Sequence, residues 1–161
     1  MLPGKFRHNL LRAGFPLRNA VVQNMTVNQF KFQYVYGPVP SRRLGRSLGI
    51  DVVPFKTCSY DCIYCQLGRT INKTIIRKEY VSAEKVLYEL KRKLAMGETI
   101  DFISLAGSGE PTLNCRIGFL IREIKRLTDI PLSIITNGSL LWMKEVQDAP
   151  LPAGWEFHPA G

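Results

Sequence analysis

Apolar residues fall into two rhythms along this chain, and the alternation between them predicts the elements. Residues 48–53 form a short, mainly apolar run that contains Asp51 and reads as the first strand, with Pro54 closing it. Upstream, Pro38, Pro40, Gly45 and Gly49 punctuate what reads as a loop leading into that strand. Residues 74–81 are rich in β-branched and aromatic side chains and predict a short extended segment. Val86, Leu90 and Leu94 then recur at i, i+4 and i+8, predicting an amphipathic helix. Ser82 is placed to cap it, Glu84 sits near its positive end, and Gly97 can stop it. A second strand is predicted over residues 100–106, followed by a helical stripe of Ile117, Leu120, Ile121, Ile124 and Leu127. Pro131 opens a third strand, LSIIT, and a third helix is predicted over residues 141–146.

Strand, loop and helix thus repeat three times. That order predicts an α/β fold with parallel strands, because each crossover must return the chain to the same end of the sheet. The geometric consequence is functional: the loops at residues 54–73, 107–112 and 136–139 all follow carboxyl ends of strands, where α/β proteins assemble their sites.

The first of these loops carries CSYDCIYC, three cysteines spaced Cys-x3-Cys-x2-Cys at Cys58, Cys62 and Cys65. So closely spaced, they suit one metal centre better than disulfides. Three thiolates satisfy three corners of a [4Fe–4S] cube and leave one iron open for a small molecule. Zinc is the competing metal, but its sites usually need a second Cys or His pair, and the only histidines are His8 and His158. Cys115 is distant in sequence, and the reading for it is a buried free thiol rather than a fourth ligand. Asp61 and Gln66 flank the ligands and read as solvated loop residues, with support of the ligands as the alternative.

With those residues in view, the chain resembles the radical S-adenosylmethionine superfamily. The cysteine spacing, with Tyr64 just before the third cysteine, carries the likeness, and Ser108-Gly109-Glu110 resembles the family's Gly-Gly-Glu-type motif one strand later. The local text over residues 34–148 is similar to a branch called Fe–S oxidoreductases, grouped with the enzymes that make wybutosine in transfer RNA. The resemblance implies a [4Fe–4S] cluster held by Cys58, Cys62 and Cys65, and S-adenosylmethionine cleaved reductively to a 5′-deoxyadenosyl radical. It implies further that Gly107, Ser108, Gly109 and Glu110 cradle the methionine end of that cofactor and that Tyr64 packs on its adenine. Thr136 and Asn137 would lie near its nucleoside part. A flavodoxin- or ferredoxin-like electron donor is implied as partner. The family fold is a partial (βα)6 barrel, of which this chain offers about three strand–helix units, the first half. Two readings from other classes stay open: a non-catalytic iron–sulfur electron-transfer or scaffold module, and a zinc-stabilised interaction domain.

Charge changes the picture at the ends. Of 22 Lys and Arg, eight fall within residues 1–50, which contain no acid, and the remaining fourteen face thirteen acidic residues. Residues 1–33 therefore read as a basic leader, residues 34–148 as the domain proper, and residues 149–161, with Pro150, Pro152 and Pro159, as an irregular tail that is no fourth strand. A truncation or a frame change would account for such a tail. Arg42, Arg43 and Arg46 are candidates for a phosphate or RNA backbone, or for a solvated loop. No stretch is long and apolar enough for a membrane span or a signal peptide, which places the chain in the cytoplasm without a membrane partner. Half a barrel should leave the edge of the third strand bare, predicting poor solubility or self-association.

Overall fold

The computed structural model describes residues 31–148 and 156–159. The basic leader, through residue 30, and residues 149–155 and 160–161 of the tail lie outside the described residues.

Five strands make one sheet in the order β1-β2-β5-β6-β7: β1 (Val35–Ser41), β2 (Gly45–Ile50), β5 (Phe102–Leu105), β6 (Leu132–Thr136) and β7 (Glu156–Pro159). From β2 onward every pairing is parallel, whereas β1 runs antiparallel to β2. Two further strands of two residues each, β3 (Thr57–Cys58) and β4 (Asn72–Lys73), form a small parallel pair across the cysteine loop. The helices are α1 (Ala83–Leu94), α2 (Ile117–Leu127) and α3 (Lys144–Gln147), one in each crossover between parallel strands. A 3-10 turn, Pro111–Leu113, precedes α2.

In the parallel strands β2 and β5 the apolar side chains are fully covered: Leu48, Ile50, Ile103 and Leu105 have no exposed surface. Each such side chain contributes about 2 kcal/mol by leaving water. Helix α1 docks Val86 and Leu90 and packs on α2 and β1; α2 buries Ile117, Leu120, Ile121 and Ile124. Ser82 caps α1 as expected, its hydroxyl accepting the Lys85 N–H at 3.4 Å. Gly97, at φ +70°, follows the end of that helix.

Three expectations are corrected. Residues 35–41 form a strand rather than a loop, and the first buried strand begins at Gly45 and ends at Ile50 instead of spanning 48–53. Prolines are tolerated in β1 because it lies at the sheet edge, where an N–H is not required on the outer side. The entering backbone is secured by Glu89 of α1, whose carboxylate accepts the N–H groups of Gln33, Tyr34 and Val35 at 2.8–3.1 Å. Finally, residues 156–159 do form a strand, pairing Ser133 with Glu156 through Thr136 with Pro159, so the edge of β6 is not bare. Four ladder partners suffice for this pairing even without an apolar run, since β6 offers a regular row of unpaired backbone groups.

Candidate metal and cofactor site

The carboxyl ends of β2, β5 and β6 open toward one cavity of about 450 Å³. The cysteine loop forms one wall through Cys58, Cys62, Tyr64 and Cys65; residues 107–110 form another, and Asn137 closes the side beneath β6. The sequence-derived residues are thus brought together, with one exception. Thr136 does not line the cavity; it is buried behind Glu110.

Backbone zippering explains the convergence. The Lys56 N–H donates to the Ser108 carbonyl at 2.7 Å, and the Glu110 N–H donates to the Thr57 carbonyl at 3.1 Å. A Cβ on residue 109 would sit 1.8 Å from that Thr57 carbonyl oxygen, so glycine there serves the close approach of two protein strands. Gly107, at φ +134°, has the Asp51 carboxylate where a side chain would go. Asp51 accepts the Ser108 N–H at 3.2 Å and the Ser108 hydroxyl in a short contact. Burial pushes the Asp51 carboxyl above its ordinary value, and the Ser108 contacts pull it back only in part.

Glu110 is fully buried and heavily engaged. Its Oε1 accepts the Thr112 N–H at 3.1 Å, the Thr112 hydroxyl in a short contact and the Thr136 hydroxyl at 2.6 Å; its Oε2 accepts the Asn137 N–H at 2.8 Å. The carboxylate therefore ties the turn after β5 to the turn after β6, leaving one lone pair of Oε2 uncommitted.

Within the cysteine loop, turns run from the Cys65 N–H to the Cys62 carbonyl at 3.1 Å and from the Gly68 N–H to the Cys65 carbonyl at 2.9 Å. Asp61 is more than a solvated flank: it accepts the Thr70 N–H at 2.9 Å and pairs with Arg69 at 2.7 Å, which holds its carboxyl below the usual range. Tyr64 is exposed, and contact with the Cys62 sulfur pushes its phenol up. Gln66 lines the cavity. Cys115 is exposed, not buried as expected, and lies away from the cavity; its N–H is taken by the Lys78 carbonyl at 3.1 Å, in the turn that leads out to solvent before α2. Of the arginines, Arg43 lines the cavity while Arg42 and Arg46 do not.

All four cysteines are free thiols. Among the described residues no three His, Cys, Asp or Glu side chains are gathered on one point. The donor set nevertheless fits an iron–sulfur cluster: three soft sulfur ligands line the same cavity, whose volume lies in the range of small-molecule sites.

Sequence reasoning missed Ser59, Ser139, Asp51 and Thr112. Ser59 and Ser139 share a hydrogen bond of 2.5 Å and flank Asn137. Asp51 had a legible signal, an acid ending an apolar strand.

The model of the radical SAM superfamily matches residues 52–153, more than half of the chain. The chain belongs to the radical SAM superfamily. It is 49% identical over 115 residues to a UPF0026 protein of Methanocaldococcus jannaschii, covering 70% of this chain and 36% of that protein. It is 42% identical over 118 residues to a UPF0026 protein of Synechocystis, covering 73% of this chain and 44% of the relative. A Brachyspira hyodysenteriae protein named GTPase Obg is 54% identical over 125 residues, 78% of this chain but 18% of that protein. The chain therefore spans less than half the length of each of these relatives. No solved structure matches it. No helix among the described residues is long and apolar enough to cross a membrane.

Proposed function

We propose that this radical SAM chain holds a [4Fe–4S] cluster through Cys58, Cys62 and Cys65 and binds S-adenosylmethionine against residues 107–110. The observation that carries the reading is the placement of all three cysteines, residues 107–110 and Asn137 on one cavity at the carboxyl ends of parallel strands. Once bound, the cluster and S-adenosylmethionine supply the hard chemistry, one-electron cleavage of a sulfur–carbon bond to methionine and a 5′-deoxyadenosyl radical.

The chain's own residues supply position. Three thiolates leave one iron coordination site open. The uncommitted lone pair of Oε2 on Glu110 offers an acceptor to the methionine ammonium, and the donors on Oε1 hold the carboxylate for it. Tyr64 and Leu67 give the cavity apolar surface for the adenine and help exclude water. We place the chain in the Fe–S oxidoreductase branch and with the first half of a partial barrel, on its local text and its parallel β2, β5 and β6. A flavodoxin- or ferredoxin-like electron donor and self-association belong to the same proposal.

Anaerobic reconstitution followed by iron, sulfide and zinc analysis separates a cluster from zinc. Addition of S-adenosylmethionine and dithionite should then yield 5′-deoxyadenosine. A reconstituted cluster that gives none would turn the reading to an electron-transfer module, and bound zinc without iron would overturn both. Cys62→Ala should abolish the cluster, and Cys115→Ala should leave iron content unchanged because Cys115 lies outside the cavity.

A further inference from the structure

Asn137 is held on every side by fixed partners. Its N–H donates to the buried Glu110 carboxylate at 2.8 Å, which sets the backbone of the turn after β6. Its side-chain Oδ1 accepts the Ser139 N–H at 2.9 Å. A backbone N–H can only donate, so this contact decides the orientation of the amide: the oxygen faces Ser139 and the NH2 group faces the cysteine loop. There Nδ2 donates to the Ser59 hydroxyl at 3.0 Å and lies 3.5 Å from the Cys58 sulfur. Ser59, the residue next to that cysteine, also shares a hydrogen bond with the Ser139 hydroxyl. The amide is therefore pre-oriented toward one cysteine of the three.

We infer that Asn137 is a positioning residue that donates an N–H···S hydrogen bond to the Cys58 ligand and thereby raises the reduction potential of the cluster. The inference rests on the proposed cluster reading and goes beyond it by assigning Asn137 to a sulfur ligand rather than to the nucleoside. The physical ground is that electron density added on reduction spreads onto the thiolate sulfurs. A donor aimed at one of them favours the reduced state, and hydrogen bonds to sulfur are among the determinants of cluster potential. The backbone link through Glu110 makes the same turn answer to the wall formed by residues 107–110.

The test is a redox titration of the anaerobically reconstituted full chain, followed by electron paramagnetic resonance of the reduced cluster. Asn137→Leu removes the donor without adding charge and should move the potential negative at unchanged iron content. Ser139→Ala breaks the hydroxyl contact with Ser59 but keeps the N–H that orients Asn137, and should leave the potential where it is. Equal potentials in Asn137→Leu and the parent overturn the inference, as does an equal shift in Ser139→Ala. Where Asn137→Leu takes up less iron, Asn137→Ala removes the donor with neither bulk nor charge, and the same negative shift is expected. Loss of the cluster in both variants, with the secondary structure intact by circular dichroism, assigns Asn137 a purely structural role and also overturns it. A parent chain that binds no cluster refutes the proposed function instead.

Discussion

At the scale of single residues, the site is built from polar groups whose partners lie far away in sequence. Asp51 illustrates the cost. Its carboxylate takes two hydrogen bonds from Ser108, yet burial still pushes its pKa above the ordinary 3.8. A carboxyl whose folded-state pKa is raised holds its proton more tightly when folded. Stability therefore falls as pH rises from the unfolded value through the folded one, and the loss is complete above that window. Asp51→Asn keeps an acceptor for the Ser108 N–H while removing the charge. In urea unfolding of the apo chain it should match or exceed the parent at neutral pH, with any advantage shrinking toward about pH 4. An advantage that grows on acidification would contradict the raised pKa. Residue chemistry was only partly legible in the sequence. The cysteine spacing announces its donors because it is local, whereas the partners of Glu110 at Thr136 and Asn137 are 26 and 27 residues away and become visible only in the fold.

At the scale of elements, legibility followed burial. Strands β5 and β6 and helices α1 and α2 stand where the apolar rhythm places them, since each must cover its apolar surface against the others. The two edge strands were missed for the same reason in reverse. Val35–Ser41 carries two prolines and Glu156–Pro159 one, a composition that reads as loop and that only an edge accepts. The turns after β5 and β6 are joined at Glu110, and this junction carries its own expectation. Glu110→Gln puts an NH2 group either at Oε2, facing the Asn137 N–H, or at Oε1, facing the Thr112 N–H and the two threonine hydroxyls, at a buried position. At least one buried donor loses its acceptor, which costs about 2 kcal/mol. Chemical denaturation should show that loss as a lower midpoint with an unchanged slope, whereas a neutral outcome would mean that the carboxylate does not bind the two turns together.

At the scale of the whole molecule, two exposed features argue that copies of the chain associate. One is the outer edge of β7, which among the described strands has no neighbour on that side. The other is the run of residues 63–76, where Ile63 is 94% exposed, Ile71 74% and Ile76 68%, an apolar concentration beyond what scattered surface side chains account for. Opposing both is the formal net charge of +9, which makes copies repel one another. The balance is therefore salt-dependent in a defined direction. Ionic strength shortens the reach of that repulsion, to about 10 Å at 0.1 M salt, and leaves the apolar contact intact. Light scattering on the purified chain should report a mass that rises with protein concentration and rises further with added salt. Replacing Ile71→Lys and Ile76→Lys together should return the mass toward that of a monomer, because it removes apolar area and adds to the repulsion. If the double variant still associates while the parent does, the β7 edge carries the contact alone; a parent that stays monomeric at every salt concentration removes the case for association through either surface.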